Sequence, residues 1–163
     1  MYKTVVFDLD GTLLNTLTDL ADAGNRLCRK YGWPTHERQA YRYFVGNGIP
    51  KLVERLTPAD QRTPAVLEVA LADFKRDYGQ HLRDTTAPYP GIPEMLAKLK
   101  ANGVQLAVFS NKADALAKEV VKDYFGTQYF TIVRGQMTGV APKPAAEGTN
   151  ALLQALHADP AST

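Results

Sequence analysis

One cysteine, Cys28, is present among 163 residues, so no intramolecular disulfide can form and the chain fits a reducing compartment. Cys28 falls on an apolar helical stripe and reads as plain core. No apolar run approaches membrane-spanning length, and the amino terminus leads into a strand without a basic segment and apolar stretch before it. The expected location is the cytoplasm, with no membrane partner. Charge of one sign is also scarce: the formal net charge is +2, with lysines and arginines scattered, which gives nucleic acid no support as a partner. His36, His81 and His157 are spaced too widely for a histidine metal motif and are expected on solvated helix faces. A G-x-S-x-G nucleophile elbow, a glycine-rich nucleotide loop, internal repeats and low-complexity segments are absent.

What remains is ordinary for a globular chain, at 45% hydrophobic and 22% charged residues, and long enough for one domain or a core carrying an insertion. The stretch from Val5 to Leu14 organises it. An apolar run, Thr4 to Phe7, reads as a buried strand. Asp8 and Asp10 follow, one residue apart, and then the turn former Gly11. Strand periodicity puts both carboxylates on one side at the strand's carboxyl end. Carboxylates so close repel unless a divalent cation, a lysine or a shared proton offsets their charge.

Helical spacing then runs without interruption. Leu17, Leu20, Ala21, Gly24, Leu27, Cys28 and Tyr31 mark a first helix, with Thr16 as N-cap, Asp19 three residues on, and an end near Gly32. A second is expected over 36–45 and a third around Ile49, Leu52, Val53 and Leu56. A fourth is expected over 64–82, with Leu67, Ala70, Leu71, Phe74 and Tyr78 inward. Beyond Arg83 the pattern alternates. A helix from Pro93 closes at Asn102-Gly103, a strand covers 104–109, and a helix over 113–125 turns Leu116, Val120 and Tyr124 inward. A strand over 130–133 and a helix over 145–156 follow. The expected fold is α/β, a Rossmann-like parallel sheet core formed by 1–15 and 84–163, with a helical cap, 16–83, inserted after the first strand.

Asp8-Leu9-Asp10-Gly11-Thr12 resembles the first motif of the haloacid dehalogenase-like superfamily, most of whose hydrolases are Mg²⁺-dependent phosphatases. The resemblance implies Asp8 as nucleophile, Asp10 as general acid and base, both as Mg²⁺ ligands, and Gly11 and Thr12 among the substrate-binding residues. Ser110-Asn111-Lys112, which the residues alone would allow as a strand-to-helix turn, is similar to the second motif. It implies phosphoryl binding by Ser110 and Asn111, and resembles the T-N-K of the phosphoglycolate phosphatase branch. Lys143, between Pro142 and Pro144, is held near one position by the flanking prolines. It resembles the third motif, whose lysine neutralises the nucleophile, although Ala146 stands where many members keep Pro or Asp. Val45-Gly46-Asn47-Gly48 reads equally as a helix-to-helix turn or as a loop whose amides, with Asn47 and Gly48, take part of the substrate.

The family's fourth motif, an acidic pair after a further strand, has no counterpart: after Lys143 only Glu147 and Asp159 are acidic. The core is thus expected to be incomplete at its carboxy terminus, a fragment of a longer protein, with the first strand at a sheet edge that invites self-association. The expected function is Mg²⁺-dependent hydrolysis of a small phosphorylated metabolite through an aspartyl-phosphate, and the chain as given, short of a carboxylate ligand for Mg²⁺, is expected to show little or no activity. A sugar phosphomutase of the same fold and a non-catalytic phospholigand-binding module are the rivals.

Overall fold

Thr4–Phe7 forms strand β1, the extent that its apolar run predicts. In the computed structural model, which describes residues 2–163, the chain makes two units. One runs up to Leu14 and resumes over Pro88–Thr163; the other is Asn15–Ala87. The chain crosses between them in two short strands that pair with each other, β2 (Leu14–Asn15) and β3 (Ala87–Pro88).

The first unit is α/β. Strands β4 (Gln105–Ala113) and β5 (Phe130–Gln136) complete a three-stranded parallel sheet in the order β1-β4-β5. β1 registers Thr4 on Gln105 through Phe7 on Val108. Parallel neighbours need a crossover, and α6 (Asp114–Phe125) supplies the one between β4 and β5. Helices α5 (Ile92–Ala101) and α7 (Ala146–Leu156) complete the helical set of this unit. Ala107, Phe109, Leu152 and Leu156 form a core with Val6, Ile132 and Ala158 packed on it. Each fully buried large apolar side chain contributes about 1.5–3 kcal/mol. Close approach of α7 needs Gly148, where a Cβ would stand 2.5 Å from Phe109 Cζ.

The second unit is helical: α1 (Leu17–Tyr31), α2 (Tyr41–Phe44), α3 (Ile49–Leu56) and α4 (Pro64–Gln80). Leu20, Leu27, Cys28, Leu52, Val53, Leu56, Ala70, Phe74 and Tyr78 make its core. Tyr41 is wholly buried, its hydroxyl donating to Asn25 Oδ1 at 3.0 Å, and its ring occupies the space that Gly24 leaves open. Asp19, also buried, accepts from the backbone N–H groups of Thr85 and Thr86, both at 2.9 Å, and from both hydroxyls, at 2.5 and 2.7 Å. None of the described helices is long and apolar enough to cross a membrane.

Several expectations need correction. Thr16 precedes α1 but makes no side-chain capping bond, and Asp19 is engaged with Thr85 and Thr86 instead of a capping box. The second helix is a 3₁₀ turn, Arg38–Ala40, followed by the single turn of α2. His36 stays outside because Asn25 holds its N–H and C=O. No histidine lies within a helix. His36 packs edge-on to Phe44, while His81 and His157 end α4 and α7. On α6 the buried positions are Ala117, Val120, Val121 and Phe125, so the inward stripe is rotated from the one predicted, and Leu116 and Tyr124 flank it. Both β4 and β5 run longer than expected: β4 continues through Ser110-Asn111-Lys112, a segment that the residues alone allow as a turn, and β5 extends to Gln136.

Candidate active site

Leu9 is fully buried, and a turn closes on its carbonyl: the N–H groups of Thr12, Leu13 and Leu14 donate to it at 3.3, 3.0 and 3.1 Å. Gly11 makes the turn with φ +82°, where a side chain would be strained, and its N–H donates to Leu14 O at 2.8 Å. With Leu9 anchored inward, strand alternation leaves Asp8 and Asp10 on the opposite side. Each meets a lysine. Lys143 Nζ lies 2.9 Å from Asp8 Oδ1 and Lys112 Nζ 3.0 Å from Asp10 Oδ1. From the sequence the pair asks for Mg²⁺ or a similar cation; the structure adds a lysine beside each carboxylate.

The two lysines are held differently. Lys143 reaches Asp8 from the loop before α7. Its ammonium also donates to Phe109 O at 2.5 Å and lies 5.3 Å from the centre of the Phe109 ring, a cation–π distance. Asn111 fixes that loop, because its Oδ1 accepts from Lys143 N–H at 2.8 Å and its Nδ2 donates to Lys143 O at 3.1 Å. Asn111, expected to bind substrate, is therefore tied to the backbone of the loop that delivers Lys143. Lys112 sits on β4 itself, its side chain only 3% exposed, against 26% for Lys143. The β4–β5 register shifts between Phe109 and Ala113, and a break in the ladder of this kind re-aims side chains at a strand end. Gly135 of β5 permits it. A Cβ there would come within 2.4 Å of Lys112 O, and its N–H donates to Asp114 Oδ1 at 2.9 Å.

Ser110 is buried, its Oγ accepting from Lys112 N–H at 3.1 Å. Parallel register puts Asp8, one step beyond the Phe7–Val108 pair, next to this end of β4. The structure thus brings Asp8, Asp10, Gly11, Thr12, Ser110, Asn111 and Lys143 to one end of the sheet, the carboxyl end, where open α/β sheets take ligands. Asn47 and Gly48 belong to the helical unit. There Arg55 donates to Asn47 Oδ1 at 2.9 Å and to the carbonyls of Tyr43 and Phe44 at 3.1 and 2.7 Å, while Gly46 and Gly48 turn the loop with φ +113° and +84°. Lys112 is the site residue that sequence reasoning missed. Its signal was alternation: in an extended segment Ser110 and Lys112 share a face, so one follows the other into the site.

As donors, Asp8 and Asp10 offer hard oxygens of the kind Mg²⁺ takes, beside the two ammonium groups already paired with them. In kind they fit this ion, and among the described residues no group of three or more Asp, Glu, His or Cys adds to them. Asp159 is occupied elsewhere, accepting from Ala161 N–H at 3.0 Å.

A model of the haloacid dehalogenase-like hydrolase family matches residues 5–163. The phosphoglycolate phosphatase of Thiobacillus denitrificans is 33% identical over 145 residues, which cover 87% of this chain and 64% of that protein. That of Aquifex aeolicus is 30% identical over 158 residues, covering 97% of this chain and 72% of the relative. The crystal structure of a predicted phosphoglycolate phosphatase from Haemophilus somnus superposes with a TM-score of 0.87 at 26% identity, over 99% of this chain and 74% of that one. The chain therefore spans slightly less than two thirds of the length of the first of these relatives. With the match running from Val5 in β1 through every residue at the sheet's carboxyl end, the chain belongs to the haloacid dehalogenase-like hydrolase family.

Proposed function

We propose that the chain carries the catalytic groups of a Mg²⁺-dependent phosphatase acting on a small phosphomonoester of the phosphoglycolate type, in the cytoplasm. The observation that carries the reading is the pairing of Asp8 with Lys143, an ammonium aimed at the carboxylate that would attack. A phosphoryl group approaching Asp8 brings further negative charge, and an ammonium already fixed in place offsets it without reorganisation. The names of the relatives, phosphoglycolate phosphatase, support the substrate class.

In the proposed sequence an Asp8 carboxylate oxygen bonds to phosphorus in line as the bond to the leaving oxygen breaks, and Asp10 gives that oxygen its proton. Water then attacks the aspartyl-phosphate, Asp10 takes the water's proton, and phosphate leaves with Asp8 restored. Ser110 is proposed to orient a phosphoryl oxygen, with the N–H groups of the turn from Gly11 to Thr12 beside it. Mg²⁺, held by Asp8 and Asp10, would supply additional positive charge to the phosphoryl oxygens. The helical unit, residues 15–87, is proposed as the cap that selects the leaving group through Asn47 and Gly48. The unpaired side of β1 is proposed as the surface for self-association.

Phosphate release from phosphoglycolate and from an aryl phosphate, at millimolar Mg²⁺, tests the reading. Asp8→Asn is expected to abolish turnover, with circular dichroism unchanged, in a chain that also carries the fourth-motif acids, while residues 1–163 by themselves are expected to release little or no phosphate. Phosphate release that survives Asp8→Asn refutes the nucleophile, and tight phosphate binding with no turnover in a chain that also carries those acids favours a binding module.

A further inference from the structure

We propose that Lys112 is the positioning residue of the leaving-group step, gripping Asp10 by one carboxylate oxygen so that the other faces the substrate. The inference rests on the phosphatase reading above and goes beyond it, because that reading gives Lys112 no role. Four observations carry it. The Lys112 side chain is buried to 3% exposure, yet its ammonium stands 3.0 Å from Asp10 Oδ1. Asp10 itself is only 14% exposed, so solvent does little to weaken the pair. The strand that carries Lys112 departs from regular pairing at this point, between Phe109 and Ala113. Finally, Gly135 has no side chain where any Cβ would collide with Lys112 O, so the fold keeps room for this backbone path.

The division of labour between the lysines follows from their partners. Lys143 meets the attacking group and Lys112 the group that moves a proton. An ammonium donates to a carboxylate oxygen and, less strongly, to the carbonyl oxygen of the neutral acid, so Oδ1 keeps its donor in both forms of Asp10. Oδ2 then holds the proton or receives it, always pointing the same way. Without Lys112 the Asp10 side chain is free to change rotamer, and proton delivery to the leaving oxygen becomes a matter of chance orientation.

A leaving-group series tests this. Lys112→Met should lose about 100-fold or more in kcat/KM on an alkyl phosphate, whose alkoxide must be protonated, and less than about 5-fold on 2,4-dinitrophenyl phosphate, whose phenolate leaves unaided. Lys112→Arg should recover most of the alkyl activity. Equal losses on both esters overturn the proposal, since they describe general damage to the site. A second measurement needs no turnover. In urea unfolding of the wild-type chain, Lys112→Met, Asp10→Asn and the double variant, the midpoint shift of the double should fall well short of the sum of the singles. Additive shifts overturn the pair. The kinetic comparison is made in a chain that also carries the fourth-motif acids; if that chain releases phosphate from none of the esters, the phosphatase reading fails and the leaving-group role fails with it, while the cycle still judges the grip of Lys112 on Asp10.

Discussion

Replacing Asn111 by Leu removes an amide that holds the Lys143 loop with two hydrogen bonds, at 2.8 and 3.1 Å, while keeping the side chain's approximate volume in a buried position. A neutral hydrogen bond contributes about 1 kcal/mol net, so the direct loss is about 2 kcal/mol; some further cost comes from the Lys143 N–H and C=O that lose their partner. Every 1.4 kcal/mol is tenfold, so the ordered loop, and with it the ammonium on Asp8, becomes up to about 30-fold less favoured over its open forms. Asn111→Asp should do roughly half the damage, because a carboxylate still accepts from Lys143 N–H but cannot donate to Lys143 O. Urea unfolding reads the stability of the chain, and hydrogen exchange at the Lys143 amide reads the loop directly. The expected order of protection is wild type, then Asn111→Asp, then Asn111→Leu. An unfolding midpoint and a Lys143 exchange rate unchanged in Asn111→Leu refute the assignment of this side chain to the loop.

Asp19→Leu leaves the N–H and O–H groups of Thr85 and Thr86 without their common acceptor, and should destabilise the chain by about 3–5 kcal/mol in urea unfolding, as breaking a buried charged network does. A loss under about 1 kcal/mol contradicts that role. For Asp114, burial works to raise its proton affinity, but the hydrogen bonds from Lys118 and the Gly135 N–H outweigh it and hold its pKa below the ordinary value. A lowered folded pKa means that this contribution to stability is complete above the unfolded value and fades as pH falls through the folded one. Asp114→Asn should therefore flatten the fall of stability below about pH 4 and leave the slope near neutrality unchanged, as read from unfolding midpoints across pH.

Sequence revealed most where one physical demand dominated. An apolar run closed by Asp8, Asp10 and Gly11 could only be a strand entering a turn, and β1 begins and ends as expected. Helices α3 and α5 carry proline in their first turn, and glycine with positive φ follows α1 and precedes α3 and α5. The pairing of Lys143 with Asp8 was legible through the resemblance of its segment to the family's third motif, with the flanking prolines restricting its backbone. Long-range polar bonds were illegible, because nothing local marks them. Asp19 looked like a first-turn acid of α1, yet its partners lie 66 and 67 residues away. Asn111 looked like a ligand-facing amide, and its partner is a backbone 32 residues on. Lys112 escaped for a related reason. A lysine after an apolar run reads as the point where a strand meets water, and only the Gly135 contact across the sheet shows that the strand has not yet reached it.

The Asp19 bonds also bear on how such a chain can be assembled. Residues Asp19 and Thr85 stand near the two ends of the helical insertion, and one carboxylate holds those ends together inside the insertion itself. Bringing together chain ends separated by about 66 residues costs on the order of 4 kcal/mol of loop-closure entropy beyond a constant term. That cost is met by contacts wholly within residues 15–87, so the α/β unit need not meet it from its own packing. To the sheet, the excursion from Leu14 to Pro88 behaves as a short hairpin, whatever its contour length. Helices can accordingly be lengthened, shortened or exchanged between Asp19 and Thr85 without altering the entropy the sheet must overcome, and such an insertion is free to diversify while the strands around it stay fixed.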